Sequence, residues 1–292
     1  MSKFFVDPSA VSGAHIYMEK REDLHHLRKV LRARPGMEID ISDGDCWEYR
    51  TCLEELTEDC ATLKILDKQK FAAEPVTRVT LYQGIPKASK METVIQKTVE
   101  MGVDTIVPVF MERTVVVEKG NFEKKLERWQ KISAEAVKQC KRGIIPQVTE
   151  SCVFDRMLSE LPNYDLIICP YENEEGLTIK DFLRETLAQG AAIKPDRPAP
   201  EASAQPDTTG ILEKQCAEAG QEVPETSAQS SCPAPQARRI ALIIGPEGGF
   251  SPGEIERLKA AGAATVSLGK TILRTETAGM AALAMIMYEM EL

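Results

Sequence analysis

Hydrophobic positions change their rhythm once along this chain, near residue 75. Over the first 70 residues they fall in short alternating runs. The stretch "MEIDISDGDCWEYRTCLEEL" alternates on both sides of Asp43-Gly44, a pair that favours a hairpin turn, and "ATLKIL" adds a further strand. This pattern predicts a small β-rich domain over 1–72, most simply a barrel. From about residue 76 the apolar runs become nearly continuous, at 78–83, 104–109, 165–169, 239–244 and 264–268. Runs of that kind fit strands covered on both faces. Between them apolar residues recur at helical spacing: Met91, Val94, Ile95 and Val99 over 89–101, and Phe122, Leu126, Trp129, Ala136 and Cys140 over 122–141. Strands alternating with helices predict an α/β domain over 73–292, with a mostly parallel sheet between two helical layers.

Two segments break the pattern. Residues 190–237 hold seven prolines, no aromatic residue, three Lys+Arg and seven Asp+Glu. Such a composition does not build a core, and it predicts a disordered insertion between a helix and the strand at 239–244. The second is the final helix, "TAGMAALAMIMYEM" (277–290), which has no charged residue from Thr277 to Tyr288. It lacks the polar stripe of a surface helix. One face can lie on its own sheet, so another subunit is the expected cover for the other, in a C2 homodimer.

Composition narrows the classes. The net charge is −9, which excludes a globally basic nucleic-acid binder but leaves room for a local basic patch. One such patch is "KREDLHHLRKVLRAR" (20–34), with six Lys+Arg against two Asp+Glu. It reads either as a phosphate-contacting face or as a solvated helix. The start, "MSKFFVDPSAVSG", has no export-signal pattern, and no uncharged apolar run reaches the ~18 residues of a membrane span. The eight cysteines form no CxxC pair and there are three histidines, so reduced cytoplasmic thiols are expected, with no metal and no membrane.

Two loops are equipped for chemistry. "IALIIGPEGGFSPGE" runs from a buried strand into Gly245-Pro246-Glu247-Gly248-Gly249 and then a helix start. There Ser251, Pro252 and Glu254 have the spacing of a capping box. The loop is neither a P-loop nor a GxGxxG turn, and its glutamate suits a cationic or hydroxyl-rich ligand better than a phosphate. It reads equally as a tight structural turn. "SLGKTILRTETAG" (267–279) ends a strand at Leu268-Gly269 and places Arg274 and Glu276 at the final helix, with Thr275 or Thr277 as its cap.

Taken together, "LIIGPEGGFSPGEI" and "VSLGKTILRTETAGMAAL" resemble the bacterial 16S ribosomal RNA uridine-N3 methyltransferase family of the SPOUT superfamily. "HHLRKVLRARPG" (25–36), "KASKMETVIQKTVEMGVDTIVPV" (87–109) and "RWQKISAEAVKQCKRGIIPQV" (128–148) resemble further motifs of that family. The resemblance covers nearly everything except 190–237. It implies a PUA-like N-terminal barrel, a SPOUT domain with a trefoil knot, homodimerisation and S-adenosyl-L-methionine as cofactor. It places Gly245, Pro246, Glu247, Gly248, Leu268, Gly269, Ile272 and Leu273 around that cofactor. It implies 16S rRNA in the small ribosomal subunit as partner, with Arg28, Lys29, Arg32 and Arg34 on RNA phosphates.

Methylating uracil N3 requires loss of its proton, which spreads negative charge over two carbonyl oxygens. A guanidinium aimed at them stabilises that charge. Arg274 is the first candidate and Arg142 the second; Glu276 either orients Arg274, the preferred reading, or accepts the proton. The competing readings are a ribose 2'-O methyltransferase of the same superfamily, a non-catalytic RNA-binding assembly factor, and a nicotinamide enzyme, against which the missing fingerprint speaks.

Overall fold

The first 70 residues fold on alternation. In this computed structural model, which describes residues 3–71, 74–116, 122–188 and 238–291, a six-stranded sheet has the order β1-β4-β5-β6-β3-β2. Its strands are β1 (Lys3–Phe5), β2 (Val11–Ser12), β3 (His15–Met18), β4 (Glu38–Ser42), β5 (Trp47–Leu56) and β6 (Ala61–Lys70). The β4–β5 hairpin turns at Asp43-Gly44 as expected. Asp43 Oδ1 accepts from the amides of Asp45, Cys46 and Trp47, and Gly44 takes φ +71°. Alternate residues of β3 to β6 enter one core with Phe4. Helix α1 (Arg21–His25), widening into a π-turn over His26–Val30, covers that core with Leu24 and Leu27. Periodicity did not show that β1 pairs in parallel with β4.

The second sheet is parallel throughout, in the order β10-β8-β7-β12-β11-β13, with β9 also on β8. The strands are β7 (Arg78–Gly84), β8 (Thr105–Phe110), β9 (Gln147–Val148), β10 (Cys152–Val153), β11 (Leu166–Pro170), β12 (Arg239–Ile244) and β13 (Ala264–Val266). The helices are α2 (Lys90–Glu100), α3 (Phe122–Cys140), α4 (Phe154–Glu160), α5 (Ile179–Ala188), α6 (Pro252–Ala260) and α7 (Thr275–Glu291). β7 and β12 are adjacent and buried on both faces, which explains their uninterrupted apolar runs. Ile240, Leu242 and Ile244 enter the core shared with α2, α3, α5 and α7; Ala241 and Ile243 enter the core beneath α4 and α6. The expected insertion at 190–237 lies outside the described residues.

Helix α7 lies against α2, α5, β7 and β12. It buries Gly279, Ala282, Leu283 and Ile286 against its own domain and leaves Ala284, Met285 and Tyr288 exposed. Its start is held by a hydroxyl. Thr275 Oγ1 donates to the Gly245 carbonyl at 2.6 Å and accepts from Gln83 Nε2 at 2.9 Å. Thr275 is therefore a clasp between the ends of β7, β12 and α7. The first amides of α7 that turn back, those of Thr277 and Ala278, donate to the Arg274 carbonyl.

The two sheets meet at a polar joint. Lys3 Nζ donates to Glu48 and to the carbonyls of Lys141 and Arg142, and Ser42 Oγ donates to the Gly143 carbonyl. Arg142 is only 6% exposed. Its guanidinium donates to Glu74 and to the carbonyls of Val99 and Val103. This corrects the expectation of a second catalytic guanidinium. Arg142 is consumed by a buried ion pair and two carbonyls that only a rigid, multi-donor cation can serve together.

Breaking that pair leaves the largely covered Glu74 carboxylate without its cation, held only by the Gly143 and Ile144 amides. Arg142→Met is expected to destabilise the protein by about 3–5 kcal/mol, read as a shift of the urea midpoint; a loss below ~1 kcal/mol would show a pair no stronger than a surface one. Thr275→Val, which keeps the shape but removes the hydroxyl, is expected to cost about 1–3 kcal/mol by taking the donor from the Gly245 carbonyl and one of the two acceptors from Gln83 Nε2. Thr275→Ser should recover most of it in the same measurement, and an equally destabilised serine variant would assign the effect to packing.

Candidate functional site

The ligand position in an open parallel sheet is beyond the carboxyl ends of its strands, where the winding direction changes. Here the loops after β12 and β13 meet at that place. They enclose a cavity of about 450 Å³, walled by Gly245–Phe250, Ser267–Thr275, Pro170–Glu172 and Lys90. That volume suits a small organic molecule. Gly245, Pro246, Glu247, Gly248, Leu268, Gly269, Ile272, Leu273 and Arg274 all line it. Loops that read separately in the sequence are thus two walls of one pocket.

The glycine loop is fixed from several sides. A Cβ on Gly84, the last residue of β7, would lie 2.5 Å from Pro246 N, so the strand end and the loop touch backbone to backbone. Gly248 presses on Arg113, whose Nη1 donates to the Gly248 carbonyl at 3.0 Å. Beyond the loop the expected capping box is present. Glu254 Oε2 accepts from the Ser251 amide at 2.9 Å, and the Glu254 amide donates to Ser251 Oγ at 3.3 Å. The other Glu254 oxygen takes the Glu112 amide, tying the loop to the segment after β8.

Charge in the pocket is arranged around a lysine that the sequence did not single out. Lys90 Nζ lies 3.1 Å from Glu247 Oε1 and 3.6 Å from Glu276 Oε2. Glu247 Oε1 also accepts from the Lys87 amide at 2.9 Å. Burial works to raise the Glu247 carboxyl, but the Lys87 amide and Lys90 outweigh it and hold the group below its ordinary range. The hydrogen bond to Glu247, helped by Glu276, holds Lys90 above the usual lysine value. Glu247 lines the cavity while its Oε1 is held by the start of α2.

Glu276 was expected to orient Arg274. Its charged neighbour is Lys90 instead, and its Oε2 is buried with no hydrogen-bond donor. Arg274 is exposed at the pocket rim, and its guanidinium has no partner among the described residues. Arg142 lies away from this cavity, in the joint described above. In the N-terminal motif Lys29, Arg32 and Arg34 are exposed, and Arg32 takes φ +50°. Arg28 is half-buried and donates to the Thr57 and Glu58 carbonyls, which removes it from a freely presented phosphate face. The missed residues Lys90, Arg113 and Gln83 carry no local signal, because their partners lie more than 130 positions away. Among the described residues no cluster of His, Cys, Asp and Glu is placed to hold a metal ion, and no helix is long and apolar enough to cross a membrane.

Residues 72–195 and 199–287 match the RNA methyltransferase domain family, and residues 20–66 match the RNA methyltransferase PUA domain. The ribosomal RNA small subunit methyltransferase E of Bacillus subtilis is 28% identical, covering 100% of this chain and 98% of its own. That of Synechocystis is 30% identical over 97% of this chain and 76% of its own. Among solved structures, ribosomal RNA small subunit methyltransferase E from Neisseria gonorrhoeae bound to S-adenosyl methionine superposes with a TM-score of 0.68. It is 25% identical and covers 99% of this chain and 97% of that one. With an RNA methyltransferase domain behind a PUA domain, and a 30% identical relative that matches 97% of this chain, the chain belongs to the ribosomal RNA small subunit methyltransferase E family.

Proposed function

We propose that this protein uses S-adenosyl-L-methionine to methylate N3 of a uridine in 16S rRNA, acting on the assembled small subunit in the cytoplasm. The observation that carries the reading is the single pocket formed by the 245–250 and 267–275 loops, with an uncommitted guanidinium, Arg274, at its rim.

The pocket's chemistry fits the cofactor. Its walls include Gly245, Gly248, Gly249 and Gly269, which leave backbone open to a ligand, with Leu268, Ile272 and Leu273 offering apolar surface and Glu172 and Glu247 offering negative charge. A sulfonium with an amino-acid tail is a partner for such walls, whereas a phosphate is not. Gly245, Pro246, Glu247, Gly248, Leu268, Gly269, Ile272 and Leu273 would hold it, Glu247 through the shape it gives the loop. When bound, S-adenosylmethionine supplies an electrophilic methyl group. This chain's residues must then position an unpaired uracil and stabilise its anion. Arg274 faces solvent at the mouth, where a base would enter, and its fork of donors suits charge shared between two carbonyl oxygens. That charge distribution favours the imide N3 over a ribose hydroxyl as the acceptor.

The remaining parts of the reading rest on surfaces. Lys29, Arg32 and Arg34 present cations for RNA phosphates on the first of two domains, 1–72 and 73–292. The exposed face of α7, with Tyr288 66% and Met285 36% exposed, is the surface proposed for a second copy. The trefoil knot implied by the resemblance also belongs to this proposal and rests on that resemblance alone.

Small subunits from cells lacking the protein, incubated with it and labelled cofactor, should gain one N3-methyluridine by nucleoside mass spectrometry. A 2'-O-methylated nucleoside, or none, would overturn the reading. Arg274→Ala should keep cofactor affinity and lose about 10²–10³ in single-turnover rate; a near-normal rate would remove Arg274 from the chemistry. Tyr288→Glu should convert a dimer to monomers in sedimentation, and a fully active wild-type monomer at micromolar concentration would refute the dimer.

A further inference from the structure

Lys90 occupies a position that neither pocket loop can fill for itself. It sits at the first turn of α2, which follows β7, while Glu247 belongs to the loop after β12 and Glu276 to the start of α7. Its ammonium lies 3.1 Å from one carboxylate and 3.6 Å from the other. The side chain is 37% exposed, and the two carboxylates are 25% and 18% exposed. The lysine is open to solvent and the two carboxylates are partly covered, so what distinguishes this cluster is that one ammonium bridges two loops, not deep burial. Without the lysine, the Glu247 and Glu276 carboxylates would face each other across a gap with like charge. Glu276 would be worst placed, because its inner oxygen has no hydrogen-bond donor.

Glu247 has a second anchor, the Lys87 amide, in the turn that leads into α2. That turn passes through Ala88, which holds φ +53°. A non-glycine residue in the left-handed region persists only where its surroundings fix it. The turn is thus built to bring one amide and one ammonium onto Glu247 together. Lys90 then reaches past Glu247 to the second loop.

We propose that Lys90 is a positioning residue of the methyl-transfer site, holding the carboxylates of the two cofactor loops together so that the pocket is shaped before ligand arrives. The proposal rests on the cofactor reading of this cavity and deepens it. Lys90 makes the separation of the loops depend on a charge carried by a third strand–helix unit. The predicted signature is coupling: substitutions at Lys90 and Glu276 should not add, because both remove one interaction.

The test is calorimetric titration of the full-length protein with S-adenosylmethionine, for wild type, Lys90→Met, Lys90→Arg, Glu276→Gln and the double variant Lys90→Met/Glu276→Gln. Lys90→Met is expected to weaken binding about five- to tenfold, the lower range of coupling between sites. Lys90→Arg should restore most of the affinity, and the double variant should bind no more weakly than Lys90→Met alone. Thermal unfolding of each variant identifies a merely structural lysine, which would lower the melting temperature while leaving affinity unchanged below it. Wild-type affinity in Lys90→Met, or strictly additive losses in the double variant, would overturn the role of Lys90. A wild-type chain that binds no S-adenosylmethionine would instead overturn the cofactor reading itself.

Discussion

One hydroxyl sets the geometry of the pocket. Thr275 joins the ends of β7, β12 and α7, bonding at once to Gln83, 192 residues before it, and to Gly245, 30 residues before it. The glycine loop cannot drift from the final helix without breaking that contact, and β7 cannot drift from either. Gly84 adds the steric half of the constraint, since any side chain there would push Pro246 away. With three backbone segments fixed so closely, the loops can be glycine-rich and still hold one shape. The usual entropic cost of glycine is met by neighbours that leave it little freedom.

A second constraint acts between the sheets. Lys3 and Ser42 donate across the boundary to the carbonyls of Lys141, Arg142 and Gly143, and within the second domain the Arg142–Glu74 pair holds the segment that carries those carbonyls. Lys3, Ser42 and Arg142 are buried, so each needs its partner, and this polar geometry acts beside the packing of Phe5 on the second core to place the sheets. Gly143 reinforces it: a Cβ there would lie 2.4 Å from the Phe71 ring. The exposed cations of the N-terminal motif therefore stand at a fixed distance from the pocket.

The elements were legible where burial is periodic. The apolar runs of β7, β8, β11, β12 and β13 and the helical stripes of α2 and α3 appear in the sequence because each must face a core. The two pocket loops were legible because glycine, proline and a capping box mark turns locally. What stayed hidden depends on partners distant in sequence. Nothing near Arg142 announces that Glu74 will bury it, and nothing near Glu276 announces Lys90. The two-residue strands β9 and β10 are too short to show a period. Arg28 looked like its neighbours Lys29 and Arg32, and only the fold turns it onto the carbonyls of Thr57 and Glu58.

The direction of α5 has a consequence for how such a chain can change length. α5 begins at Ile179, after β11 has delivered the chain to the pocket end of the sheet, and runs back to Ala188; β12 begins at Arg239 at that opposite end. Residues 189–237 therefore join two points on the rim farthest from the ligand cavity. Neither the paired strand residues nor the pocket loops belong to that stretch. A change of length between those two ends acts at the far rim, whereas the same change after β12 or β13 falls in a wall of the pocket.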